Sequence, residues 1–156
     1  MLYDIKRGLN SLEKALENIV EKASKAVDDG YNIMILTDRG ADKVNGPIPA
    51  LLACSFLHHS LNAAKKRSKF GIIIESAEPR EPHHFATLFG YGASAINPYM
   101  VNEIIREKVR NGSITGIDSE TAVQNFNKAI GKGILKIMNK IGISTLHSYR
   151  ASQIFE

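Results

Sequence analysis

"FGIIIESAEPREPHHFATLFG" runs from Phe70 to Gly90. Its opening places three isoleucines in a row after Gly71. An apolar run without polar alternation is the pattern of a parallel strand covered on both faces. A polar, proline-bearing loop follows, and "PHHFATLF" reads as a short helix that Pro82 opens and Gly90 closes. Strand, loop and helix in that order make one βα unit.

The same order stands upstream. "YNIMIL" (31–36) reads as a buried strand and "TDRGADKVNG" (37–46) as a loop, with Pro47 and Pro49 introducing a helix through "ALLACSFLHHSLNAAKK". Before it, apolar residues at 9, 12, 16, 19, 20, 23, 26 and 27 predict an amphipathic helix that Gly30 stops, with Asn10 and Glu13 as a capping pair. Downstream, "GASAI" (92–96) is a weak third strand. Asn97 and Pro98 stand as N-cap and first residue of a helix ending at Gly112, and Asp118 as cap of a longer one, apolar at 122, 123, 126, 129, 130, 134, 135 and 138.

Strands alternating with helices predict an α/β fold of parallel βα units with right-handed crossovers. Three strands are few for a parallel sheet, which normally has helices on both faces. "SYRASQIFE" (148–156) reads as helix interior with nothing to close it. The expectation is a piece of a larger assembly, with faces meant for absent neighbours.

A chain of 156 residues, 44% hydrophobic and 23% charged, holds one ordinary globular core. Its net charge of +4 is scattered. "KKRSK" (65–69) alone is clustered, and it falls where a helix C-terminus attracts cations. With no aromatic residues interleaved, no nucleic-acid partner is expected. One cysteine, Cys54, completes neither a disulfide nor a cysteine metal site, which predicts a reducing, cytoplasmic home. No apolar run is long enough to span a membrane, and "MLYDIKRGLN" lacks the apolar core of a signal peptide.

Ligands of parallel sheets bind beyond the carboxyl ends of the strands, so the loops after the first two strands form the rim of interest. They carry Asp38, Arg39, Glu75, Glu78, Arg80, Glu81, His83 and His84. The plainer reading is a network in which acids and arginines pair across loops and position them. His58–His59 and His83–His84 are adjacent pairs, whereas two metal ligands on one helix face need spacings of three or four. One member of each pair is expected to face the core and the other the surface. No metal is therefore expected. Gly90 and Gly92 do not follow a strand as a dinucleotide fingerprint requires, and Cys54, in an apolar helical stripe, reads as a packing residue.

Three blocks, "ILTDRG…PIPALLA", "IIIESAEPREPHHFATLFGYGASAINPY" and "KGILKIMNKIGISTLHSYRASQIFE", resemble the glutamate synthase large chain. The first two are similar to the later part of that family's central domain, and the third to the opening of its FMN-binding synthase domain. The likeness covers 26–156 apart from 101–128. Asn139 stands where serine is usual and Ile141 where methionine is usual, while 151 and 152 are variable places.

The resemblance implies a partial, TIM-barrel-like central domain over 1–128 and the truncated start of the synthase domain over 129–156. It implies an enzyme that makes glutamate from glutamine and 2-oxoglutarate, using FMN and an iron–sulfur cluster. This segment would then be an inactive connector without a cofactor of its own, its rim residues meeting the remaining domains of the large chain. A stand-alone βα binding module is the alternative, and a metal hydrolase using Glu75, His83 and His84 is a third reading. Apolar surface meant for partners is expected to make the isolated chain self-associate, lose solubility or leave its C-terminal residues unpacked.

Overall fold

The computed structural model describes residues 1–155. Along the chain come β1 (Leu2–Asp4), α1 (Leu9–Asp28), β2 (Ile33–Thr37), β3 (Asn45–Pro47), α2 (Ala50–Ala63) and β4 (Gly71–Glu75). Then follow α3 (Pro82–Gly90), β5 (Ala95–Asn97), α4 (Tyr99–Arg110), α5 (Ser119–Lys140) and α6 (Leu146–Tyr149). The α/β reading holds. β2, β4 and β5 form one parallel sheet in that order, with Ile35 opposite Ile73 and Ile73 opposite Ala95.

Sheet neighbours are joined in chain order, so right-handed crossovers put α2 and α3 on one face. Residues of one register share a face. Leu36, Ile72 and Ile74 point to the helices and are at most 4% exposed, whereas Ile33 and Ile35 on the other face are each 59% exposed. The apolar runs suggested cover on both sides; among the described residues only one side is covered. This is a singly wound arrangement, like a length of barrel wall that does not close.

The core lies between sheet and helices, where Ala23, Ile48, Ala53, Cys54, Leu57, Leu61, Ile72 and Ile74 are fully buried. α5 lays its stripe of Ala122, Val123, Ile130 and Met138 inward and packs on α3 and α4, while Leu135, expected in the stripe, is exposed. Asp118 caps α5 as anticipated, accepting from the amides of Glu120 and Thr121.

Four local expectations give way. β1 and β3 pair antiparallel, so the loop reading of 37–46 misses the first two residues of β3. Such three-residue strands carry too little pattern to announce themselves. α1 begins after Gly8, which has no side chain to cap it, so Asn10 and Glu13, expected as a capping pair, lie inside the helix. Pro98, not Asn97, holds the cap position of α4, since Asn97 ends β5. Finally, "SYRASQIFE" is no helix interior. α6 stops at Tyr149 and the chain turns back onto α3, with Tyr149 fully buried; Glu156, the last residue of that expectation, lies outside the described residues.

Helix α5 meets α3 through a glycine. A Cβ on Gly133 would sit 2.6 Å from Cγ and 2.7 Å from Cβ of Pro82, a ring that cannot rotate away, whereas one on Gly131 meets nothing within 4 Å. Gly133→Ala should therefore destabilise the fold by about 1–3 kcal/mol through overpacking. Gly131→Ala should stabilise it by roughly 0.5–1 kcal/mol through helix propensity. Urea unfolding of the two variants checks the opposite signs.

Candidate functional site at the strand ends

The carboxyl ends of β2, β4 and β5 are tied by two carboxylates. Asp38, the first residue past β2, is 3% exposed. Burying a carboxylate requires donors for its oxygens, and three converge on it. Tyr99 Oη donates to Oδ1 at 2.8 Å, while Ser76 Oγ at 2.6 Å and the amide of Ala77 at 3.0 Å donate to Oδ2. The network extends further, since Ser76 Oγ accepts from the amide of Glu78 and Glu78 Oε2 accepts from the amide of Ala50 at 3.0 Å. Glu78 thus places negative charge at the N-terminus of α2, where the helix dipole favours it.

Glu75, at the end of β4, serves the outer side. Thr37 Oγ1 donates to it at 2.8 Å, Asn97 Nδ2 at 3.2 Å, and Arg39 Nε pairs with it at 3.1 Å. The Arg39 guanidinium also lies 3.9 Å from the centroid of the Tyr99 ring, a cation–π contact. The Thr37 hydroxyl first, then Arg39 and Asn97, hold the Glu75 carboxyl below its ordinary range. Burial first, then the hydrogen bond to Asp38, pushes the Tyr99 phenol up to about 12.

Of the rim residues named from sequence, the fold therefore joins Asp38, Arg39, Glu75 and Glu78. The other four stand apart. Arg80, Glu81, His83 and His84 are exposed around the start of α3, where His84 Nδ1 accepts from the amide of Arg80 at 3.1 Å. Each member of the His83–His84 pair is exposed, so the expected split fails there, because both sit in the first turn of a helix that turns its wet end outward. The split holds for His58, buried, and His59, exposed. Among the described residues no three His, Cys, Asp or Glu side chains are grouped to hold a metal ion. The partners Thr37, Ser76, Asn97 and Tyr99 escaped the sequence reading. Their signal was position, since Thr37, Ser76 and Asn97 lie at or just past a strand end and Tyr99 opens the helix that follows β5.

At the opposite end of the sheet, His58 Nδ1 accepts from Arg67 Nε at 2.9 Å, and Arg67 also donates to the carbonyls of Phe70 and Gly92. Burial first, then Arg67, His59 and Arg150, push His58 down to about 4. Cys54 is buried, and burial pushes its thiol up to about 12, so it is a packing residue and no nucleophile. No helix among the described residues is long and apolar enough to cross a membrane.

Two titrations check these networks. Tyr99→Phe leaves Asp38 one donor short and should cost about 1–3 kcal/mol at neutral pH. A phenol whose folded pKa is raised from 10.0 to about 12 contributes fully below the lower value and loses its contribution as pH rises through the upper one. The gap between native chain and Tyr99→Phe should therefore narrow between those two values in urea titrations. For His58, lowered from 6.5 to about 4, the contribution is present above 6.5 and fades as pH falls toward 4. His58→Gln should flatten that acid limb of the stability curve.

The sequence profile of the glutamate synthase central domain matches residues 1–156. The chain is 43% identical over 150 residues to the NADH glutamate synthase of Schizosaccharomyces pombe, covering 96% of this chain and 7% of that protein. It is 45% identical over 145 residues to the large chain of the NADPH glutamate synthase of Bacillus subtilis, covering 93% and 10%. It is 43% identical over 168 residues to ferredoxin-dependent glutamate synthase 2 of Synechocystis, covering 99% and 11%. The chain thus spans 7–11% of the length of these curated relatives.

Proposed function

The chain belongs to the glutamate synthase central-domain family, and from that premise we propose that it serves a large chain making L-glutamate from L-glutamine and 2-oxoglutarate, as a structural connector between the amidotransferase and synthase domains. The observation that carries this reading is the network at the rim. Asp38 and Glu75 each accept from three groups of this chain on neighbouring strand ends, which is what a positioning network does. The names of the relatives add support. Proteins named for NADH, NADPH and ferredoxin share this segment at 37–45% identity, which suits a part indifferent to the electron donor.

Within this reading residues 1–128 belong to the central domain and 129–156 open the FMN-binding synthase domain, with α5 crossing from one to the other. FMN and the iron–sulfur cluster, carried by other parts of the large chain, supply the reduction. The residues here fit neither group. A buried, protonated Cys54 is no cluster ligand, and carboxylates at the strand ends would repel a flavin phosphate. The isolated chain is accordingly inactive. Its neighbours are the remaining domains, and without them the face of Ile33 and Ile35 drives self-association. One unpaired cysteine suits a reducing compartment such as the cytoplasm.

Arg80 makes no ion pair among the described residues and is exposed beside the rim, placed to meet a neighbouring domain. In the full-length enzyme Arg80→Ala should raise the glutamine hydrolysed per glutamate formed by about twofold, as ammonia escapes a loosened junction. Parallel assays of both products with a melting curve decide the matter. An unchanged ratio together with an unchanged melting temperature would remove the connector role of this rim.

A further inference from the structure

The segment after α5 crosses the amino end of the sheet and lies on α3. α6 is capped by Thr145, whose Oγ1 accepts from the amide of Ser148. Beyond it the contacts that hold the chain are few. Tyr149 is fully buried, the amide of Ala151 donates to the carbonyl of Phe89 at 3.3 Å, and Arg150 Nη1 donates to Ser94 Oγ at 3.0 Å. The Phe155 ring packs edge-on to Tyr149, with centroids 6.5 Å apart, and stacks with Tyr91 at 6.1 Å. It reaches that place over Gly90, where any Cβ would collide with it.

Four features oppose this docking. Ala151 and Gln153 hold φ of 59° and 56°, a left-handed conformation that costs a residue with a Cβ. Among the described residues the Tyr149 hydroxyl and Ser152 Oγ are buried without a hydrogen-bond partner. Arg150 is brought into the neighbourhood of Arg67, and among the described residues neither guanidinium has a carboxylate partner. Docking also leaves a cavity of about 160 Å³ between the strap and His58, His59, Gly90 and Tyr91, an imperfect fit.

We propose that residues 146–155 form a strap held on α3 close to balance, exchanging between a docked state and a released one that opens the cavity beside His58 and Tyr91. Buried aromatic area favours docking, while left-handed alanine and glutamine, two unpartnered hydroxyls and a pair of like charges oppose it. Release leaves the sheet ladder in place, because the strap makes no strand pairing and β4 is held by its register with β2 and β5. The strap is thus a local conformational device at the end of the sheet opposite the carboxylate rim.

Hydrogen–deuterium exchange of the intact polypeptide, read on peptides covering 147–155 and 71–75, tests this. The strap peptide should be at least about a hundredfold less protected than the strand peptide, because it opens without global unfolding. Ala151→Gly removes the left-handed penalty and should raise strap protection about fivefold, with the strand unchanged. Gly90→Ala should lower strap protection about tenfold by blocking Phe155, again sparing the strand. Equal protection of the two peptides in the native chain, or an Ala151→Gly variant with unaltered strap protection, overturns the proposal. The second of these stands even where Gly90→Ala fails to fold.

Discussion

A carboxylate removed from water must find donors for both oxygens or cost the fold several kcal/mol. Asp38 meets that demand by drawing on the segment after β4 and on the start of α4, so three consecutive βα units share one anchor. The demand works in both directions. The strands cannot slip in register without orphaning the charge, and the charge is tolerable only while the strands hold register. Ser76 transmits the constraint to Glu78 and thence to the first free amide of α2. A helix that contributes to the core is thereby fixed at its N-terminus by a loop two elements further along the chain.

This electrostatic seam lets the sheet remain open elsewhere. Three parallel strands with helices on one side would ordinarily be marginal, because half of their apolar residues face water. Ile33 and Ile35 show that cost directly. Pairing along the upper edge through Thr37, Glu75 and Asn97 places polar groups on the same uncovered face as those isoleucines. The face is therefore graded, apolar toward the start of the strands and hydrogen-bonded at their ends. Such a layering suits a surface that other parts of a longer chain cover, and it accords with a segment that spans 7–11% of its relatives.

How much of this was legible in the sequence depends on the range of the interaction. The longer helices and the first two parallel strands declared themselves by periodicity, by capping residues and by unbroken aliphatic runs, signals contained within a few residues, whereas β5 left only a weak trace. Half of the rim was also legible, since Asp38, Arg39, Glu75 and Glu78 are charged residues directly after strands, where ligands and networks concentrate. Their partners were not. Ser76, Asn97 and Tyr99 are ordinary residue types whose roles appear only when strands distant in sequence are set side by side. The same limit explains the missed β1–β3 pair and the misread C-terminus. Residues 148–155 have acceptable helix propensity, and only the tertiary site offered by Gly90 and Tyr91 turns them back onto α3.

The two ends of the sheet then obey different physics. At the carboxyl end Asp38 and Glu75 are each held by several groups of the chain and the geometry is over-determined, so a perturbation there should spread to three strands at once. At the amino end, two arginines, a neutral buried histidine and two hydroxyls without a partner among the described residues crowd around aromatic rings, and the geometry is under-determined. The connector role proposed above would benefit from that asymmetry. One end holds its neighbours in fixed register, while the other yields without loss of the core. The rigidity and the compliance come from the same chain, because buried charge rewards complete satisfaction and apolar packing tolerates imperfect fit.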